Sequence, residues 1–67
     1  MQIILNNNQE EIPGDLITVA ELLKFKNFTF KMLITKINGV LVQKSDYESA
    51  AIRDGDVVNV LHLISGG

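Results

Sequence analysis

Residues Ile17 to Lys24 read I-T-V-A-E-L-L-K, and the order of side chains in that run starts a short helix. Thr18 is a good N-cap residue, and Glu21 follows three positions later. Hydroxyl and carboxylate can therefore each accept a backbone N–H that would otherwise lack a partner. Ile17 before the cap and Leu22 at the fourth helical position are placed to close a hydrophobic staple. Val19, Leu22 and Leu23 then share one face at the 3.6-residue period. Asn27 is a plausible left-handed stop, which limits the helix to two or three turns. A helix of that length needs a sheet to lie on.

The sequence on either side supplies the strands. Met1, Ile3 and Leu5 fall on alternate positions, so the chain opens as a strand with those side chains inward. Asn6-Asn7-Asn8 is turn chemistry, Gln9 to Ile12 is the return strand, and Pro13-Gly14 ends it. Beyond the helix, Phe28 to Ile37 is rich in β-branched and aromatic residues and is predicted as a strand. Asn38-Gly39 is a strong signal for a type I′ hairpin and pairs Ile37 with Val40. One face of this hairpin carries Leu33, Thr35, Ile37, Val40 and Val42; the other carries Met32, Ile34, Lys36, Leu41 and Gln43. Lys44 to Asp56 is predicted as a connection with about one helical turn, closing on the turn Asp54-Gly55-Asp56. In the last strand Val58 and Val60 face inward, and Val57, Leu61 and Leu63 outward.

The expected fold is α+β: a mixed sheet of four to five strands, its first and last strands parallel at the centre, with one main helix across one face. The expected organisation is one domain over residues 1–67, with 64–67 as a flexible tail. The sheet face away from the helix has nothing to cover it. Ile34, Leu41, Leu61 and Leu63 are therefore the candidate partner-binding patch.

Composition excludes several functions. The chain has 67 residues, no cysteine and one histidine, His62, so neither a thiolate metal site nor a cysteine nucleophile is available. A net charge of −2 does not suit a nucleic-acid binder. The opening MQIILNNNQEE has no basic region of the secretory kind, and no apolar run approaches membrane length. The expectation is a soluble, cytoplasmic protein. His62 has no serine nucleophile or orienting acid beside it to build a triad. Asp54 and Asp56 are too few to ligate calcium and are read as turn formers. Tyr47 is read as an aromatic anchor for the long connection.

What remains is the ending, Ser65-Gly66-Gly67. Without Cβ atoms such a tail is thin enough to thread into a narrow active site. A terminal carboxylate on Gly67 is ionised at neutral pH and a poor electrophile. It would need activation by another enzyme, for example as an acyl-adenylate. On this reading the tail is a substrate for other enzymes, not a catalyst; the other reading of Gly66 and Gly67 is a frayed end without a role.

Taken in order, these pieces resemble the ThiS-type sulfur carriers of thiamine biosynthesis, which have the ubiquitin-like β-grasp fold. The residues that carry the resemblance are the opening MQI, Thr18 to Leu23, Ile37-Asn38-Gly39, Asp54-Gly55-Asp56 and Ser65-Gly66-Gly67. The resemblance implies that a ThiF-type enzyme adenylates the carboxylate of Gly67 with ATP. Sulfur derived from cysteine then replaces AMP to leave a thiocarboxylate, and thiazole synthase takes that sulfur into the thiazole ring. No cofactor is expected on the chain itself. The small subunit of molybdopterin synthase, with the same tail chemistry, is the alternative; a ubiquitin-like modifier and an inert TGS-type module are others. The usual length of the molybdopterin subunit, greater than that of this chain, favours the thiamine carrier.

Overall fold

The computed structural model describes residues 1–29 and 32–62. Strands β1 (Gln2–Leu5) and β2 (Asn8–Glu11) form the first hairpin. Its turn is made by Asn6 and Asn7 at φ of 50 and 68°, a region that asparagine tolerates better than most side chains. Strand β3 (Leu16–Thr18) runs directly into helix α1 (Val19–Phe25). The expected capping box is present: the Glu21 amide donates to Thr18 Oγ1 at 3.1 Å, and the Thr18 amide to Glu21 Oε1 at 3.0 Å.

Helix α1 stops as Asn27 takes φ of 58°. The amides of Phe28 and Asn27 donate back to Leu23 O (2.8 Å) and Lys24 O (3.1 Å), the paired bonds of a Schellman motif. This corrects the strand expected from Phe28. The Phe28 amide is used in closing the helix, and β4 spans only Leu33–Ile37. Strand β5 (Val40–Val42) returns through Asn38 and Gly39 at φ of 51 and 82°, and Ile37 pairs with Val40 as expected.

The connection after β5 holds more structure than the sequence suggested. A 3₁₀ turn at Lys44–Asp46 is followed by strand β6 (Ala51–Arg53). Strand β6 pairs antiparallel with β3 and places Ile52 opposite Ile17. Strand β7 (Val57–His62) is the last described element.

The main sheet has the order β2-β1-β7-β4-β5. Strands β1 and β7 are parallel, as expected, and the other neighbours antiparallel. The core lies between this sheet and α1, with Ile3 and Leu5 of β1, Val58 and Val60 of β7, and Val19 and Leu22 of the helix all buried. Tyr47 is buried with them and anchors the connection. Val40 shares the face of Ile37 as expected and is 67% exposed, because it sits beside the turn on an edge strand.

The Asp54-Gly55-Asp56 turn ties three elements together. Asp54 Oδ1 accepts from the Gln2 amide at 2.7 Å, and Asp56 Oδ2 from the Arg53 amide at 2.9 Å. Asn38 joins the same network through Asp56 and through the Val57 amide, which donates to Asn38 Oδ1 at 2.9 Å. Both aspartates therefore act as turn formers, as expected. No helix among the described residues is long and apolar enough to cross a membrane.

Candidate functional site

Alternation along β4, β5 and β7 places Ile34, Leu41 and Leu61 on the sheet face away from α1. Ile34 lies directly opposite Leu61 on neighbouring strands. Leu41 lies opposite Lys36, one row along. Leu61 is 54% and Leu41 53% exposed, while Ile34, on the strand between them, is half-buried. Three of the four expected patch residues are thus brought together. The fourth, Leu63, lies outside the described residues.

The apolar surface is larger than the sequence-derived patch. Val57, on β7 with the same parity as Leu61, is also exposed and pairs with Ile4 of β1. Between the Ile4–Val57 and Ile34–Leu61 pairs sits a polar one, Lys36 opposite Asn59. The signal for this extension was the position of Val57 on the outward parity of the last strand.

At the other end of β7 lies a cleft of about 180 Å³ lined by Asn6, Phe28, Leu33, Val60 and His62. Asn6 borders it and grips β7: its Nδ2 donates to Val60 O at 3.0 Å, and its Oδ1 accepts from the Val60 amide at 2.8 Å. Sequence reasoning identified Asn6 only as a turn residue. His62 is exposed at the strand end, in register with Leu33. Ser65, Gly66 and Gly67, the expected chemical end of the molecule, lie with the rest of the expected tail 64–67 outside the described residues.

Among the described residues, no group of three His, Asp or Glu side chains is placed to hold a metal. A mostly apolar face and a gripped final strand are suited to binding a partner.

Comparison with known proteins extends this reading across the chain. The ThiS family model matches residues 3–67. The chain belongs to the ThiS family. The match bears out the resemblance to ThiS-type sulfur carriers, and it covers Ser65, Gly66 and Gly67 as well as the described elements. A crystal structure of the thiamine biosynthesis protein ThiS from Geobacter metallireducens superposes at a TM-score of 0.88, with 23% identity and complete coverage of both chains. An NMR solution structure of a thiamine biosynthesis protein from the same organism gives a TM-score of 0.80 at 23% identity, covering all of this chain and 88% of that one. At that identity the two likenesses speak to the fold, and they agree with the five-stranded β-grasp sheet of this ThiS-family member. No curated protein sequence matches it.

Proposed function

We propose that this protein is a sulfur carrier for thiamine biosynthesis, a co-substrate whose reactive group is the carboxylate of Gly67. The observation that carries the reading is the extent of the family match, which runs through Gly66 and Gly67.

The proposed chemistry begins with a ThiF-type partner. An oxygen of the Gly67 carboxylate attacks the α-phosphorus of ATP, pyrophosphate leaves, and the carboxylate becomes an acyl-adenylate. The terminal sulfur of a cysteine-derived persulfide then attacks the acyl carbon and expels AMP. A thiol reductant cleaves the resulting acyl disulfide and leaves the thiocarboxylate, which thiazole synthase consumes. ATP is thus used by the partner, and this chain holds no cofactor of its own.

The described residues contribute recognition. Leu61, Ile34 and Leu41, together with Leu63, form the docking patch for the activating enzyme. Tail residues Ser65 and Gly66 carry Gly67 into its active site, where glycine's lack of a side chain permits close approach. Pyrophosphate exchange into ATP tests this step: a ThiF-type enzyme should catalyse it with the full chain and not with a chain lacking Gly67. Equal exchange with both chains would sink the proposal.

A further inference from the structure

Strand β7 is held on its two sides by different means. On the β4 side, Thr35 pairs with Val60 and Leu33 with His62 in a regular antiparallel ladder. On the β1 side, among the described residues, two pairs form, Ile4 with Val57 and Leu5 with Val58. The backbone bonds there run from the Ile4 amide to Asp56 O (3.0 Å) and from the Asn6 amide to Val58 O (2.9 Å). Strand β1 cannot supply the next rung, because Asn6 turns away into the hairpin at φ of 50°.

The Asn6 side chain supplies that rung instead, meeting both the N–H and the C=O of Val60. Two backbone groups of a buried residue would otherwise lose their partners. The task needs a donor and an acceptor on one short arm, on a residue that also tolerates positive φ. Aspartate offers acceptors only. Glycine offers the turn without the arm.

We propose that Asn6 is a positioning residue for the C-terminal segment. By fixing Val60 from the β1 side, it steadies the end of β7 from which the chain runs on to Gly67. This rests on the sulfur-carrier reading, in which Gly67 must reach ATP in the activating enzyme. Asn6 grips β7 at Val60 from the β1 side, and beyond it the Leu33–His62 pair continues the ladder with β4.

The segment past that grip, Leu61 to Gly67, has seven residues and spans at most roughly 25 Å when extended. Without the two bonds from Asn6, the end of β7 loses a hold on its β1 side and samples more conformations, which must be lost when the carboxylate meets ATP. An added ordering cost equal to about one residue's backbone freedom slows the step roughly tenfold.

The test uses the full chain, as wild type, Asn6→Gly and Asn6→Asp, with a ThiF-type enzyme and ATP. Asn6→Gly keeps a residue suited to the turn, and Asn6→Asp keeps one acceptor should the glycine variant fail to fold. The expected result is a fall in kcat for adenylation of about tenfold, with KM within about twofold because the docking face is untouched. Amide exchange at Val60 should rise in free Asn6→Gly, and less in Asn6→Asp, whose carboxylate still accepts from that amide, while exchange at Val58 stays slow. A variant adenylated at the wild-type kcat, beside an active wild type, would overturn the positioning role alone. Unchanged exchange at Val60 in Asn6→Gly would overturn the grip itself. A wild type that is not adenylated would overturn the carrier reading and this role with it.

Discussion

Asn38 and Asp56 are joined side chain to side chain, with Asn38 Nδ2 donating to Asp56 Oδ1 at 3.1 Å. The bond ties the β4–β5 hairpin to the turn that launches β7. Asp56 also accepts from the Arg53 amide, so Asp56→Ala removes two bonds to a charged acceptor. The expected cost is about 1–3 kcal/mol, read from urea unfolding. Asn38→Gly keeps the positive φ and should cost less, about 1 kcal/mol. Wild-type stability in both variants would contradict this account of the turn.

The hydroxyl of Thr35 is fully buried in β4 and has no hydrogen-bond partner among the described residues. A buried polar group without a partner is destabilising, whereas an apolar group of the same shape is not. Thr35→Val should therefore raise stability by about 1 kcal/mol. A drop in melting temperature would show that the hydroxyl has a partner.

The carboxyl of Glu21 titrates below its ordinary value of 4.5, first because the Thr18 amide donates to it and then because the Thr18 hydroxyl does. A lowered folded-state pKa means that the ionised form favours the folded state. Its contribution is full above about 4.5 and is lost as pH falls through the lowered folded value. Thr18→Ala should cost about 1 kcal/mol near neutral pH through the lost cap and flatten this part of the acid limb. An unchanged acid limb in unfolding curves would contradict the coupling.

On the sheet face away from α1, Leu61→Asp should weaken the complex with the activating enzyme by about tenfold or more and leave the fold intact, since Leu61 is exposed. Calorimetric titration measures the first effect and circular dichroism the second. Wild-type affinity would remove Leu61 from the docking patch.

Much of this fold was legible because short-range chemistry fixed it. Thr18 and Glu21 cap within one turn, Asn38-Gly39 sets a two-residue hairpin, and Val58 and Val60 alternate with polar or exposed neighbours. The β3–β6 sheet was not legible: each strand has three residues, and Ile17 meets Ile52 from the far side of both the helix and the β4–β5 hairpin. The start of β4 was misjudged because Phe28 has strand propensity, yet its amide closes the helix. For the site the order reversed. Ile34, Leu41 and Leu61 could be assigned to one face from alternation, while the grip of Asn6 on Val60 required the parallel pairing of β1 and β7 to be seen.

The central claim is that Gly67 carries sulfur. Intact-protein mass spectrometry after incubation with ATP, a ThiF-type enzyme and a sulfide source tests it most directly. The account expects a mass gain equal to the replacement of one oxygen by sulfur, localised to Gly67 and absent without ATP. An unmodified Gly67, with the enzyme active on its own partner in the same reaction, would contradict it.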